Sequence, residues 1–300
     1  MYKNVLESIG NTPLVKINHA DEDGAEIYAK IEAKNPSFSV KDRPVYYIVK
    51  DLMEKGELKE GDGIVEATSG NTGVALSMIG ATLGLNVIIV MPESMTMERR
   101  RLMKAYGAEL VLTGEGGMQA AVDKAKEISE EKGYPMLGQF MREANVLAHY
   151  ETTGPEILKE IPDVDGFVAG IGTGGTVTGT GKFLKENNED IVVWGVEPEA
   201  SPLLNKGEAG GHKIQGLGAN FVPDIYDSSY IDKVDMVSNE DAIEEAMGLA
   251  RKEGILSGIS SGANLKAAKR LAKDLGKGKK IVVILPDTGE RYLSSEIFDD

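Results

Sequence analysis

Cysteine is absent from this chain of 300 residues, so disulfides and thiolate metal sites are excluded. Histidine is nearly as scarce. His19, His149 and His212 are scattered, with no metal-ligand spacing among them. Positive charge is in deficit: 33 lysines and arginines face 48 aspartates and glutamates, a net charge of −15. That balance argues against nucleic acid or an anionic membrane as partner. Any anionic ligand must then be held by local donors rather than by the overall field. There is no apolar run of the roughly 20 residues that cross a bilayer, and no signal peptide, so a cytoplasmic protein is expected. Internal repeats and low-complexity linkers are lacking too.

Glycine is in excess, at 36 residues against a usual share of about 7%. Such a surplus points to tight loops where backbone approaches a ligand. With 41% hydrophobic residues the chain can bury a proper core, as one large or two medium domains. Strand and helix patterns alternate, which argues for an α/β protein with a largely parallel sheet. Strands are expected at 26–31, 63–67, 87–91, 109–113, 136–140, 166–171, 191–196 and 280–285. Helices are expected at 43–55, 74–83, 97–106, 118–132 and 144–161, the last interrupted near Gly154-Pro155. Further helices follow the 172–176 loop to about 184, run over 242–252 behind a Ser238/Asp241 capping box, and run over 263–275. The economical architecture is two doubly wound α/β domains with a cleft between them. Residues 45–145 form the smaller one, and residues 1–44 return to join 146–300 in the larger.

Three strand-to-helix loops carry donors. Gly172-Thr173-Gly174-Gly175-Thr176 offers N–H and hydroxyl groups at a helix start, which suits a phosphate. It lacks the Lys-Ser/Thr ending of a nucleotide P-loop and the last glycine of G-x-G-x-x-G, so a monophosphate fits better than a dinucleotide. Thr68-Ser69-Gly70-Asn71-Thr72-Gly73 can seat a carboxylate by the same logic. Ser257 to Gly262 brings Ser260 and Ser261 to the start of an alanine-rich helix. Each loop alone is equally a capped turn. Together, at strand ends in a doubly wound layout, they mark where a ligand binds. Lys41 lies in Lys34 to Arg43, at another loop-to-helix junction, with Pro44 in the first turn of the helix that follows. Desolvation and positive neighbours there can lower an amine's pKa and make it a nucleophile. A lysine taken alone is usually a solvated surface residue; the three donor loops change that reading.

At this point the chain resembles the cysteine synthase (O-acetylserine sulfhydrylase) family of pyridoxal-phosphate enzymes. The matching blocks run in order over nearly its whole length. They are Gly10-Asn11-Thr12-Pro13-Leu14, NPSFSVKDR around Lys41, TSGNTG at 68–73, Gln139-Phe140, TTGPEI at 152–157, GTGGT at 172–176, HKIQGLGA at 212–219, GISSGA at 258–263, and Pro286 to Tyr292. The resemblance implies a fold-type II architecture, related to the tryptophan synthase β chain, and a homodimer. It implies that Lys41 holds pyridoxal 5'-phosphate as a Schiff base and serves as the catalytic base. Asn71 would bond the ring hydroxyl oxygen. Gly172, Thr173, Gly174, Gly175 and Thr176 would hold the phosphate, and Ser260 would face the ring nitrogen. Thr68, Ser69, Gly70, Asn71, Thr72 and Gln139 would receive the substrate carboxylate, with Gly216 and Asn220 beside the substrate. The implied reaction is β-replacement, O-acetylserine plus sulfide giving L-cysteine plus acetate, and a serine acetyltransferase is a partner by family analogy.

The chain departs from the family at Arg142-Glu143-Ala144-Asn145-Val146, in the bulk of Pro44 to Tyr47, and at Asn220, where some relatives carry aspartate. These departures bear on substrate choice and leave open a cysteine-consuming lyase that releases hydrogen sulfide, or a cystathionine β-synthase-like activity. From other classes, a nucleotide-binding oxidoreductase is opposed by the motif mismatch at 172–176. A silent partner-binding relative is opposed by the presence of Lys41 and Ser260.

Overall fold

A computed structural model describes residues 1–18, 23–94 and 97–294; His19 lies outside them. In chain order the elements are β1 Leu14–Lys16, β2 Glu26–Ile31, α1 Asp42–Glu54, β3 Gly63–Ala67, α2 Asn71–Leu83, β4 Asn86–Pro92, α3 Met97–Ala105, β5 Glu109–Thr113 and α4 Gly117–Lys132. Then follow α5 Ala144–Ala148, α6 Gly154–Glu160, β6 Gly166–Gly170, α7 Gly175–Asn187, β7 Val192–Pro198, α8 Leu203–Lys206, β8 Lys233–Val237, α9 Asn239–Glu253, α10 Ile259–Leu275 and β9 Lys280–Leu285. The protein is α/β, with two sheets. The larger has the order β1-β2-β9-β6-β7-β8, parallel except for β1; the smaller is β3-β4-β5, all parallel.

The strands read as continuous apolar runs because both faces are covered. In β9, Ile281, Val283 and Leu285 face the core shared with α9 and α10, through Ala242, Leu249, Ala263 and Ala267. Val282 and Ile284 face the opposite core with Ile157, Val177 and Leu184. In β4 the same alternation sends Val87, Ile89 and Met91 toward α1 and α2, and Ile88 and Val90 toward α4. In α1, Val45, Ile48, Val49 and Leu52 are buried at helical spacing.

Several boundaries differ from the sequence expectation for physical reasons. The 136–140 strand does not form. Met136 makes one bridge to Val65, and Gly138, at φ +66°, then turns the chain. The break expected at Gly154-Pro155 lies upstream, in a π-helical turn at His149–Thr153. Pro155 has no N–H to return to the preceding turn, which widens there instead. Helices α2 and α10 start at Asn71 and Ile259, earlier than expected, with Gly70 and Gly258 as their N-caps. Asn71, Thr72 and Ser260 are therefore first-turn helical residues rather than loop residues. The Ser238 cap holds: its hydroxyl accepts from the Asp241 N–H at 3.1 Å. Strands β1 and β8 were not anticipated, being short or only half apolar.

One buried ion cluster fixes the start of α1. The Arg43 guanidinium bonds Glu32 at 2.7 Å and Glu156 at 2.6 Å, and also donates to Thr12 and Thr152. Lys30 bonds the same Glu156 at 2.7 Å and the Thr12 carbonyl at 2.9 Å. Burial alone would push Glu32 up, but Arg43 beside it wins and holds the carboxyl at about 2. Its contribution to stability is complete above about 4.5, its ordinary value, and is lost as pH falls toward 2. Arg43→Met removes one cation and leaves the buried Glu32 without its bonded guanidinium, while Glu156 keeps Lys30. Unfolding in urea should show a loss of about 3–5 kcal/mol. An unchanged midpoint would mean that the cluster contributes nothing net.

Candidate active site

The carboxyl ends of β9 and β6 open onto a cavity, where ligands sit in doubly wound sheets. Ala169 and Gly170 from β6 line it, as do Ile284 and Pro286 at the end of β9. Of the residues singled out from the sequence, it gathers Lys41, Asn71, Gly172, Thr173, Gly174, Thr176, Gly216 and Ser260. Gly175, Thr68, Ser69, Gly70, Thr72 and Gln139 are not on its wall. Gly175 and Thr72 are in the first turns of α7 and α2, Thr68 to Gly70 lead into α2, and Gln139, in the turn after Met136, accepts from the Thr72 hydroxyl. Asn220 is further off. At φ +63° it lines an adjoining pocket with Ser201 and Glu197, and its side-chain oxygen accepts from the Ser201 hydroxyl at 2.8 Å.

Lys41 caps α1 and is half-buried. Removal from water pushes its amine down to about 8, while the Asp287 carboxylate works in the opposite direction. Positive neighbours, expected from the sequence to assist, are not what lowers it. Asp287 is itself buried and raised by that burial. Its Oδ2 accepts from Asn71 Nδ2 and from the Tyr292 hydroxyl, each at 2.7 Å. Asn71 Oδ1 in turn accepts from Arg291.

The loop at 172–176 is shaped by close approaches. A Cβ at Gly172 would lie 2.2 Å from the Gly216 carbonyl oxygen, and one at Gly175 would lie 2.0 Å from Asn145 Oδ1. Asn145 Nδ2 donates to Thr173 Oγ1 at 3.1 Å, which leaves the Thr173 proton free to be donated. His149 shares a 3.2 Å bond with Thr176 and a 2.9 Å bond with Thr153. Burial, aided by Arg43, pushes its imidazole down to about 3, so it is neutral here. Asn145 and His149 thus set the hydroxyls of this loop. Neither role was read from the sequence, where Asn145 figured only as part of a departure. Among the described residues there is no cluster of metal-ligating side chains, and no helix long and apolar enough to cross a membrane.

The elements around the two sheets meet across this cavity. Arg99 of α3 donates to the Ser69 carbonyl at 3.2 Å and to Gln215 Oε1 at 2.8 Å, and stacks over Tyr292. Phe140 meets Phe221 edge-on at 4.9 Å.

A model of the family described as pyridoxal-phosphate dependent enzyme matches residues 5–287. This chain belongs to the pyridoxal-phosphate-dependent enzymes. A cysteine synthase of Staphylococcus aureus is 48% identical over 303 residues, covering 99% of this chain and 98% of the relative. A solved hydrogen sulfide-producing enzyme from Fusobacterium nucleatum superposes with a TM-score of 0.94 at 46% identity, covering 98% of each chain. A solved cysteine synthase from Entamoeba histolytica gives 0.95 at 41% identity, covering 100% of this chain and 91% of that one. The cofactor of this family is pyridoxal phosphate. The residues present suit it: a partly neutral amine on one wall, and a helix N-terminus with convergent N–H groups and a Thr173 hydroxyl ready to donate.

Asp287→Asn removes the charge that opposes desolvation at Lys41. In cofactor-free protein the Lys41 amine should then titrate below about 8, as read by NMR of ¹³C-labelled lysine. An unchanged or higher value would show that Asp287 does not act on Lys41.

Proposed function

We propose that this protein catalyses β-replacement on a serine-derived amino acid, taking O-acetylserine and sulfide to L-cysteine and acetate. The observation that carries the reading is Lys41, an amine held at about 8 on the wall of a cavity that also receives the 172–176 loop. When bound, the cofactor supplies an aldehyde and an electron-withdrawing ring that make the α-proton and β-substituent of an amino acid labile. Lys41 would hold it through Nζ, and the free amine would take and return a proton at that atom. Gly172, Thr173, Gly174, Gly175 and Thr176 hold the phosphate through N–H and O–H donors. Ser260 would face the ring nitrogen with an uncharged hydroxyl. Asn71 would reach the ring hydroxyl with the amide hydrogen that Asp287 does not use. The turn from Thr68 to Thr72, with Gln139 behind it, receives the substrate carboxylate, and Gly216 borders the substrate.

In the same reading, residues 45–145 move as a unit. A carboxylate at the 68–73 turn and an amine at Lys41 connect them to 1–44 and 146–300, which favours closure. A cytoplasmic homodimer and docking of a serine acetyltransferase belong to this reading through the family resemblance.

A second reading is release of sulfide from cysteine, favoured by the likeness to the hydrogen sulfide-producing enzyme. Water is a poor nucleophile without a base near the β-carbon. Asn220, which the family resemblance puts beside the substrate and the structure puts in the adjoining pocket, offers an amide that cannot take the proton, and its oxygen is already engaged by Ser201. O-acetylserine plus sulfide should therefore turn over faster than cysteine alone in side-by-side assays, and Asn220→Asp should raise serine formation from cysteine. Faster turnover of cysteine alone would replace the first reading with the second.

A further inference from the structure

Behind the first turn of α2 lies a buried carboxylate to which the chemistry above gives no role. Glu66, on β3, is 4% exposed and Gln139 7% exposed. Glu66 Oε2 accepts from the Gly138 N–H at 3.1 Å, and its Oε1 accepts from Gln139 Nε2 at 3.3 Å. Gln139 Oε1 accepts from the Thr72 hydroxyl at 2.7 Å. A chain of bonds thus runs from Glu66 through the Gln139 amide to Thr72, and an ionised carboxylate sets its direction. Such a carboxylate only accepts, so the Gln139 NH₂ faces Glu66 and its carbonyl faces Thr72. The single hydroxyl proton of Thr72 is then spent on Gln139, and Thr72 offers an incoming carboxylate only lone pairs.

We propose that Glu66 is a positioning residue that switches the hydrogen-bond direction of the Gln139–Thr72 pair, so that an amino-acid carboxylate binds together with a proton taken up at Glu66. With a proton on Oε1, Glu66 donates to the Gln139 carbonyl once the amide has turned over. Gln139 Nε2 then donates to Thr72 Oγ1, and the Thr72 proton is released toward the ligand. Oε2 accepts from Gly138 throughout, and every group stays paired in both states. The proton comes from solvent and no covalent bond other than O–H changes. Burial pushes Glu66 up to about 7, against the Gly138 and Gln139 donors and the charge of Arg142, so one proton is exchangeable near neutrality. Arg142 is the charged group that faces it. Arg142 also lies 3.7 Å from Glu57 and donates to the Met136 carbonyl.

The proposal rests on Thr72 and Gln139 receiving the carboxylate, and the test separates the two ideas. Holoenzyme is titrated with L-alanine, which has the carboxylate but no leaving group, and with ethylamine, which lacks the carboxylate. Binding is followed in the cofactor absorbance. As pH rises above about 7, wild-type affinity for L-alanine should fall up to about tenfold per unit more steeply than that of Glu66→Gln. The substituted amide donates without taking a proton. The ethylamine profiles of the two proteins should coincide. Infrared difference spectra of the wild type should show a protonated-carboxyl band gained on adding L-alanine, a readout independent of whether Glu66→Gln folds. Parallel L-alanine profiles with no such band overturn the switch. If Thr72→Ala and Gln139→Ala both leave L-alanine affinity unchanged, the carboxylate site is wrong and the switch falls with it.

Discussion

The placement of Lys41 depends on the charge balance around Arg43. Two cations, Arg43 and Lys30, meet two carboxylates, Glu32 and Glu156, almost fully out of water. Asn11 and Gly10 reach into the same cluster, the first through its N–H to Glu156 and the second through Asn35. Three separate sequence blocks are thereby held to one another: the 10–14 turn, the lysine segment and the helix beginning at Gly154. An ion pair this deep costs desolvation, and an apolar packing could be as stable. Its value is geometric, because the planar guanidinium fixes the direction in which α1 begins. Lys41 stands two residues before it.

The site itself relies on neutral donors. The chain carries −15 overall, yet it must hold a phosphate and a carboxylate. On the proposed reading it would do so with N–H groups at the starts of α7 and α2 and with hydroxyls whose protons are aimed by neighbours. His149 is kept neutral, so it supports Thr176 without adding a charge that would have to be balanced. Lys41 is tuned by two opposed effects, of which loss of water outweighs the Asp287 carboxylate and brings the amine down to about 8.

Much of this was legible in the sequence. Apolar runs gave β3 and β9 to the residue, because strands buried on both faces admit little else, and β2 and β5 also match in their bounds. Gly172, Thr173, Gly174 and Thr176, with Asn71, Ser260 and Lys41, singled out from their sequence context, all fall on the cavity wall. What escaped depended on tertiary partners. Nothing local distinguishes Asp287, Asn145 or His149 from ordinary polar residues; their roles come from Lys41, Thr173 and Thr176, far away in sequence. The 136–140 segment misled because Met136 and Leu137 look like a strand, whereas Gly138 turns the chain so that its N–H can reach Glu66. The starts of α2 at Asn71 and α10 at Ile259 are hidden in the sequence because their N-caps are glycines, which offer no side-chain signal.

The strand order has a consequence for biosynthesis. The smaller sheet is made of consecutive strands, and its three members can pair as soon as they leave the ribosome. In the larger sheet, β9 fills the place between β2 and β6 and supplies Pro286 and Asp287 to the site. Until it arrives, β2 and β6 each present an unpaired edge separated by a strand-wide gap. The nascent chain therefore carries a finished smaller sheet beside an open larger one for most of its synthesis. The cavity wall that Ile284 and Pro286 supply must wait for β9 to pair, and the long-range β2–β9 pairing is the step at which an aggregating side reaction competes.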